Sequence, residues 1–376
     1  MEKQTLTSHE LKKQNRSKVY QYIYRSRETS RPELTAALQM SMPTLSQNLA
    51  ELEQEQLIAK AGFKDSTGGR KAQILACNAV ARIAMGAEIL KESIRLCAID
   101  LYGSVIKQTR INLPFSNAPS YFQTMASAIH SFVESLPLES SGILGLGIAI
   151  QGLVSADGQK VIYGKILNCT GLTVSQFGQY LDFPCFLVHD SEASACGELM
   201  HQKDISHAVY LSLNRNLGGA IVLNGSVYRG NALMSGTMEH ICLIPDGRPC
   251  YCGKKGCLEA YCSADSLRED SGMDLNLFFQ RVRRHEENET HIWHTYLKHL
   301  SMAIANIRHV IDCDIIIGGL LNTWMTDDDF SLLTSLVQRF CPLSQQAIRL
   351  IPGCHDLNLA SIGAGLPFIT NFLNQI

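Results

Sequence analysis

Residues 240–262 read HICLIPDGRPCYCGKKGCLEAYC. Cys250, Cys252 and Cys257 place three thiols within eight residues, and His240 lies ten residues upstream. One imidazole and three thiolates make a closed tetrahedral shell for Zn²⁺. Closed shells are structural, because a catalytic zinc keeps one position open for water. Gly253 and Gly256 let the backbone turn tightly enough for Cys252 and Cys257 to converge on one ion. The competing reading is a set of reduced cysteines that merely lie close together; three cysteines with interleaved glycines favour the metal. Cys242 and Cys262 are near enough to compete as ligands, and rank lower as core thiols.

The chain has 376 residues, enough for two or three domains with sizeable cores. Its hydrophobic fraction of 45% and charged fraction of 18% are those of an ordinary soluble globular protein. No apolar run approaches the ~20 residues that span a bilayer, so no membrane insertion is expected. The N-terminus, MEKQTLTSHELKKQNRSK, is polar and has no signal-peptide character. Thirteen cysteines without an export signal suggest a reducing, cytoplasmic setting. The net charge of -2 hides an asymmetry. Residues 1–80 carry 12 Lys and Arg against 8 Asp and Glu, and the remainder is acidic. A basic head on an acidic body hints weakly at nucleic acid near the N-terminus.

Within the head, the spacing predicts a helix over Leu11–Arg27, with Val19, Tyr20 and Ile23 on one face. A short helix over Pro32–Leu38 follows, with Ser30 as cap and Pro32 in the first turn. A third helix begins at Met42-Pro43-Thr44 with Ser41 as cap. Leu45, Leu49 and Leu52 face inward, and Thr44, Gln47 and Asn48 face outward. This is a helix-turn-helix order, in which the start of the last helix meets base edges in the major groove. Gln47 and Asn48 are residue types that can bond an adenine edge in two places. Two short strands, Leu57–Gly62 and Ala72–Leu75, flank a glycine-rich hairpin tipped with Arg70 and Lys71. Such a wing can place an arginine in a narrow minor groove. A small three-helix bundle with no DNA role is the alternative, and the hairpin tips the balance against it. Residues 1–80 therefore read as a winged helix-turn-helix DNA-binding domain.

Beyond residue 80 the pattern changes. Strands are expected at Ala81–Leu90 and Ile94–Leu101, and a helix at Ser120–Leu136. The run 142–150 reads as a strand buried on both faces. It ends at Gln151-Gly152, the kind of strand C-terminus where α/β sites sit. The strand at Cys185–Val188 ends at His189-Asp190, and a helix follows at once. There Asp190 is either a helix cap or a ligand group. The pattern then repeats: strand Ala208–Leu213, the pair Gly218-Gly219, strand Ala220–Leu223, hairpin Asn224-Gly225 and Val227-Tyr228. A helical stretch over Trp293–Ile311, a strand at Asp314–Ile317 and a last helix near Leu357 complete the chain. Residues 81–376 thus read as two α/β lobes with a cleft, approximately 81–195 with the C-terminal helix, and 196–360.

These residues carry a resemblance to the ROK family (repressors, open reading frames, kinases), over almost the whole length. The most specific element is His240…Cys250-Tyr251-Cys252-Gly253-Lys254-Lys255-Gly256-Cys257-Leu258-Glu259, which resembles the family's zinc signature; Gly68-Gly69-Arg70 resembles the wing of its repressor branch. The resemblance implies an actin-like, ribonuclease-H-like double fold, a structural zinc, and a homodimer or homotetramer. It also implies sugar contacts at Asn168, His189, Asp190 and Glu259.

The departures from the family pattern bear on activity. The kinases hold ATP phosphates with an acid-x-Gly-Gly-Thr turn; here the residues are Glu88-Ile89-Leu90-Lys91-Glu92. Their second loop, Gly-Thr-Gly-x-Gly, is Asn214-Arg215-Asn216-Leu217-Gly218. Added Cβ atoms stand where phosphate needs bare N–H groups, so phosphoryl transfer is not expected. His189, Glu192 and Thr237 also replace family residues, which leaves the effector open. The reading is a transcriptional regulator, a repressor of carbohydrate-utilisation genes. Its partners are operator DNA and a sugar or sugar phosphate. A sugar kinase with an appended DNA domain, or a regulator answering to a transporter protein, are the alternatives.

Overall fold

The structure is a computed structural model that describes residues 8–64, 71–137, 142–202, 204–342 and 348–376. The head consists of α1 (Ser8–Ser26), β1 (Glu28–Ser30), α2 (Arg31–Leu38), α3 (Met42–Gln54), β2 (Ile58–Phe63) and β3 (Gln73–Cys77). Its strands pair antiparallel in the order β1-β3-β2. Ser30 N–H donates to Glu33 Oε2 at 2.9 Å at the start of α2, and Ser41 Oγ caps α3. Val19, Tyr20, Ile23, Leu34, Leu45, Leu49 and Leu52 are all fully buried, so three amphipathic helices share one small core. Strand β1 lacks a sequence signal because three polar residues form it; pairing with Ile74–Ala76 is what makes it extended. Asn48 corrects an expectation. It is 3% exposed rather than outward-facing, and its Nδ2 donates to the Thr44 carbonyl at 2.7 Å. Gln47 is exposed.

Two lobes follow. The first contains β4 (Ile83–Ile89), β5 (Ile94–Ile99), β6 (Val105–Ile111), α4 (Pro119–Glu134), β7 (Ile143–Ile150), β8 (Leu153–Val154), β9 (Val161–Tyr163), α5 (Ser175–Gly178), β10 (Cys185–His189) and α6 (Asp190–His201). The second contains β11 (Ala208–Leu213), β12 (Leu217–Leu223), β13 (Ser226–Tyr228), α7 (Glu259–Cys262), α8 (Ala264–Ser271), α9 (Leu275–Arg283), α10 (Glu287–Arg308), β14 (Asp314–Gly318), α11 (Asp327–Phe340) and β15 (Leu350–Pro352). Helix α12 (Leu359–Gln375) closes the chain.

The two five-stranded sheets are built alike. Their orders are β6-β5-β4-β7-β10 and β13-β12-β11-β14-β15. In each, the first three strands form an antiparallel meander, and the fourth and fifth join parallel to the first side. Buried Val, Ile, Leu and Ala fill the central strands, as expected of sheets covered on both faces. Gly218 and Gly219, read in the sequence as preceding the strand Ala220–Leu223, lie inside β12. The glycines serve close approach: a Cβ on Gly218 would stand 2.0 Å from Ser191 Oγ at the start of α6.

Helix α12 returns from the second lobe to the first. It lies on α6, β4 and β7 with almost no side chain between. A Cβ on Gly86 would lie 1.7 Å from the Ser361 carbonyl oxygen, one on Gly147 1.9 Å from that of Ala364, and one on Gly363 1.8 Å from that of Ala193. Its far end meets the head, where the Phe372 ring stands edge-on to Tyr20 at 6.4 Å. A second clasp lies beside it. The Tyr24 and Tyr102 rings stack at 4.6 Å, the Arg27 guanidinium covers Tyr102 at 3.4 Å, and Tyr24 Oη donates to the Leu101 carbonyl at 2.8 Å. Among the described residues no helix is long and apolar enough to cross a membrane.

Candidate functional site

The C-terminal ends of β7 and β10 open toward the cleft between the lobes. Gln151, Gly152 and Leu153 follow β7, while His189 ends β10 and Asp190 begins α6. Facing them are Ser212, Asn214, Asn216 and Leu217 around the β11–β12 turn, and the 237–254 segment with Glu239, His240, Tyr251 and Lys254. Together they enclose a cavity of ≈ 500 Å³, within the range of small-molecule sites.

Asp190 Oδ1 accepts from Ser191 N–H at 2.8 Å and lies 3.3 Å from His189 Nε2. Burial raises its carboxyl to about 6, against the backbone and hydroxyl donors of Ser191. Burial also lowers His189, whose imidazole is thereby kept neutral. Glu259 is raised to about 7 by burial, although Asn216 Nδ2 donates to one oxygen at 2.9 Å and Leu217 N–H to the other at 2.6 Å. Both its oxygens thus hold the β11–β12 turn, and it is not among the cavity-lining residues. Asn168 adopts φ 50°, is exposed, and stands two residues beyond the lining residue Ile166. Of the expected sugar contacts, the structure brings His189 and Asp190 to the cavity wall.

Glu239 was missed by sequence reading. It lines the cavity at 6% exposure, and burial raises it to about 8, with Glu259 and Asp190 adding like-charge repulsion. The available signal was an acid inside the turn just before His240. Glu192, another departure from the family pattern, pairs with Arg229 at 2.9 Å.

The ligand atoms of His240, Cys250, Cys252 and Cys257 all lie within 4.8 Å of one another. Cys252 and Cys257 Sγ are 3.7 Å apart, and Cys250 Sγ is 3.8 Å from His240 Nδ1. A tetrahedral ion with bonds of about 2.3 Å to sulfur sets its ligands roughly 3.8 Å apart, so the donor set fits zinc. All three cysteines are free thiols, which excludes a disulfide. Gly256, at φ 78°, is required here: a Cβ would stand 1.9 Å from the Ile244 carbonyl oxygen. Cys242 is exposed and Cys262 buried, and neither joins the group.

In the stretch 88–92, compared above with a phosphate loop, Glu88 is buried and pairs with Arg95 at 2.8 Å, and Arg95 also donates to the Leu357 carbonyl at 2.8 Å. Burial holds Glu88 above the usual carboxylate range despite Arg95. The space lined by Glu88, Arg95, Asn214, Gly319, Asp356 and Leu357 is ≈ 20 Å³, room for about one water. In the head, Thr44 is half-buried, Gln47 and Lys71 are exposed, and Arg70 lies outside the described residues.

A duplicated α/β lobe pair around a cavity of mixed polar and apolar lining, with a His-Cys₃ group in one wall, defines a two-lobed protein of the actin-like class. Residues 83–347 match the model of the ROK family, and the chain belongs to that family. It is 24% identical over 378 residues to the xylose repressor of Bacillus spizizenii, covering 97% of both chains. It is 24% identical over 263 residues to the transcriptional dual regulator NagC of Escherichia coli, covering 69% of this chain and 64% of NagC. Among solved structures it resembles a ROK family transcriptional regulator, a homologue of the E. coli MLC protein. That match has a TM-score of 0.78 and 21% identity, and covers 97% of each chain. The ROK hexokinase of Thermus thermophilus aligns at TM-score 0.66 and 18% identity, over 78% of this chain and 99% of its own.

Asp190 yields a pH signature. Its folded value of about 6 lies above the ordinary 3.8, so the folded state keeps a proton that the unfolded chain releases. That contribution is whole below pH ~4 and is lost as pH rises through about 6. Asp190→Asn should therefore gain on the wild type across this window, by about 1–3 kcal/mol once the solvent around a partly exposed side chain is allowed for. Urea unfolding from pH 4 to 7 measures it; parallel curves for the two proteins would contradict it.

Proposed function

We propose that this chain is a DNA-binding transcriptional regulator, a repressor of carbohydrate-utilisation genes, controlled by a sugar or sugar phosphate in the interlobe cleft. The carrying observation is a combination. A helical head with an exposed Gln47 on α3 is fastened to a two-lobed body in which the space beside Glu88 and Arg95 is only ≈ 20 Å³. The full-length match to a xylose repressor supports the same reading. In it, residues 1–80 form a winged helix-turn-helix: α2 and α3 flank the turn, and β2 and β3 flank the wing. Thr44 and Gln47 read bases, while Lys71 contacts phosphate. Asn48 supports α3 from within, because its amide is spent on Thr44. Operator half-sites are bound by a homodimer or homotetramer.

The body is a sensor without kinase activity. Support comes from Glu88-Ile89-Leu90-Lys91-Glu92, which lacks the bare glycine backbone a phosphate loop needs, and from Arg95, which donates to the Leu357 carbonyl beside it. His189 and Asp190 contact the ligand, and Glu259 holds the β11–β12 turn for it. His240, Cys250, Cys252 and Cys257 hold a structural Zn²⁺ that fixes the 237–257 segment against the cavity. Ligand binding shifts a population between cleft states. Helix α6 starts at Asp190, α12 lies directly on α6, and the end of α12 abuts α1, so the cleft state reaches the head through two rigid helices.

Fluorescence anisotropy on fragments of the chain's own promoter region should show salt-sensitive specific binding that the cognate sugar abolishes. Gln47→Ala should weaken the specific complex by about ten- to a hundred-fold with non-specific binding unchanged; no specific site would remove the reading. Metal analysis should find one zinc per chain, lost together with several degrees of thermal midpoint in Cys257→Ser; full zinc in that variant would refute the ligand set. A coupled ADP-release assay over a hexose panel should stay at background, and turnover would restore the kinase reading.

A further inference from the structure

Glu239 is the middle residue of the short turn Met238–His240 and forms part of the cleft wall. Its Oε2 is buried with no hydrogen-bond partner, and its Oε1 lies 3.9 Å from His240 Nε2, beyond hydrogen-bond reach. Buried carboxyls are as a rule paired, so an orphaned one at a cavity wall calls for a donor from outside the chain. The neighbouring acids are already committed. Glu259 is taken by Asn216 and Leu217, Glu192 by Arg229, and one oxygen of Asp190 by Ser191. Glu239 is thus the cavity carboxyl with the most acceptor capacity left.

The wall is poorly equipped for a phosphate. Its cations are Lys165 and Lys254, both exposed, and Lys254 Nζ donates to the His240 carbonyl at 3.2 Å. The first free N–H of α6, which could hold an anion, is taken by Asp190. No arginine lines the cavity among the described residues.

We propose that Glu239 is the residue that reads the ligand, its carboxyl accepting a hydroxyl hydrogen from an unphosphorylated sugar. The inference rests on the sugar-sensing reading above and narrows it to a neutral polyol. The hydroxyl replaces the partner that Oε2 lacks, and a sugar presenting no hydroxyl there leaves the carboxyl unpaired, which is how a buried polar group discriminates.

The test uses the full chain in its zinc-loaded form. Pentoses, hexoses and N-acetylhexosamines, each with its phosphate ester, are screened by thermal shift, and hits are measured by calorimetry. An unphosphorylated sugar should bind and its ester should bind at least ten-fold more weakly. Glu239→Leu, which keeps the bulk and removes the acceptor, should lose at least ten-fold in affinity for that sugar, with zinc content unchanged and ligand-free melting not lowered. If the wild type binds a sugar and the Leu variant matches it within two-fold, the role of Glu239 falls while sugar sensing stands. If the ester binds more tightly, the ligand class is wrong. If no sugar binds the wild type, the sensing reading itself fails, and this inference with it. Should the variant lose zinc, the single-deoxy analogues of the sugar on the wild-type protein decide. One of them must lose ten-fold or more, and uniform affinities across the series overturn the proposal.

Discussion

The carbonyl oxygen of Ala193 sits where Gly363 has no side chain, and the rest of the molecule leans on that contact. Similar approaches at Gly86 and Gly147 seat α12 on β4 and β7. Backbone packed this closely has few alternative arrangements, so α6 and α12 behave as one body. The consequence is geometric. The first residue of α6 is the cavity residue Asp190, and the last turn of α12 faces Tyr20 in the head. In the proposed regulator, a helix pair without slack is the part that would carry a local event in the cleft toward the head.

The cleft itself is organised by charge. Burial raises Asp190, Glu239 and Glu259 alike, and Glu259 and Asp190 sit close enough to Glu239 to raise its proton affinity further. His240 joins this acid cluster to the cysteines: its Nδ1 faces Cys250 and its Nε2 faces Glu239. One imidazole therefore belongs to both the proposed zinc shell and the cavity wall, and whatever orients it is felt on both sides.

Much of this was legible in the sequence. The His-Cys₃ spacing, the helix starts at Ser30 and Ser41, and the continuous apolar strands carry strong local signals, and the structure brings the four candidate ligand side chains together. Helices α8, α9 and α11 went unassigned although caps marked them: Asp274 accepts from Asn276 N–H, and Thr326 and Asp329 bond one another's backbones. Strand β1 and the interior glycines of β12 had no such signal, because tertiary neighbours dictate both. Asn48 was misplaced for a physical reason. It lies beside Leu45 and Leu49 on the helical wheel, and a short amide can bury itself by bonding the preceding turn. Glu239 was overlooked because its role depends on which donors its neighbours have already consumed, which only coordinates reveal.

The link from Glu88 through Arg95 to the Leu357 carbonyl has a historical consequence. Any lineage that opened this corner would have to replace Arg95 and Glu88 together. Removing the guanidinium alone strands a buried carboxyl, and removing the carboxyl alone leaves a half-buried guanidinium with only the Leu357 carbonyl to hold it. Each first step is harmful without the second. The interlock thus acts as a ratchet that lets sequence drift proceed around it while keeping the corner shut.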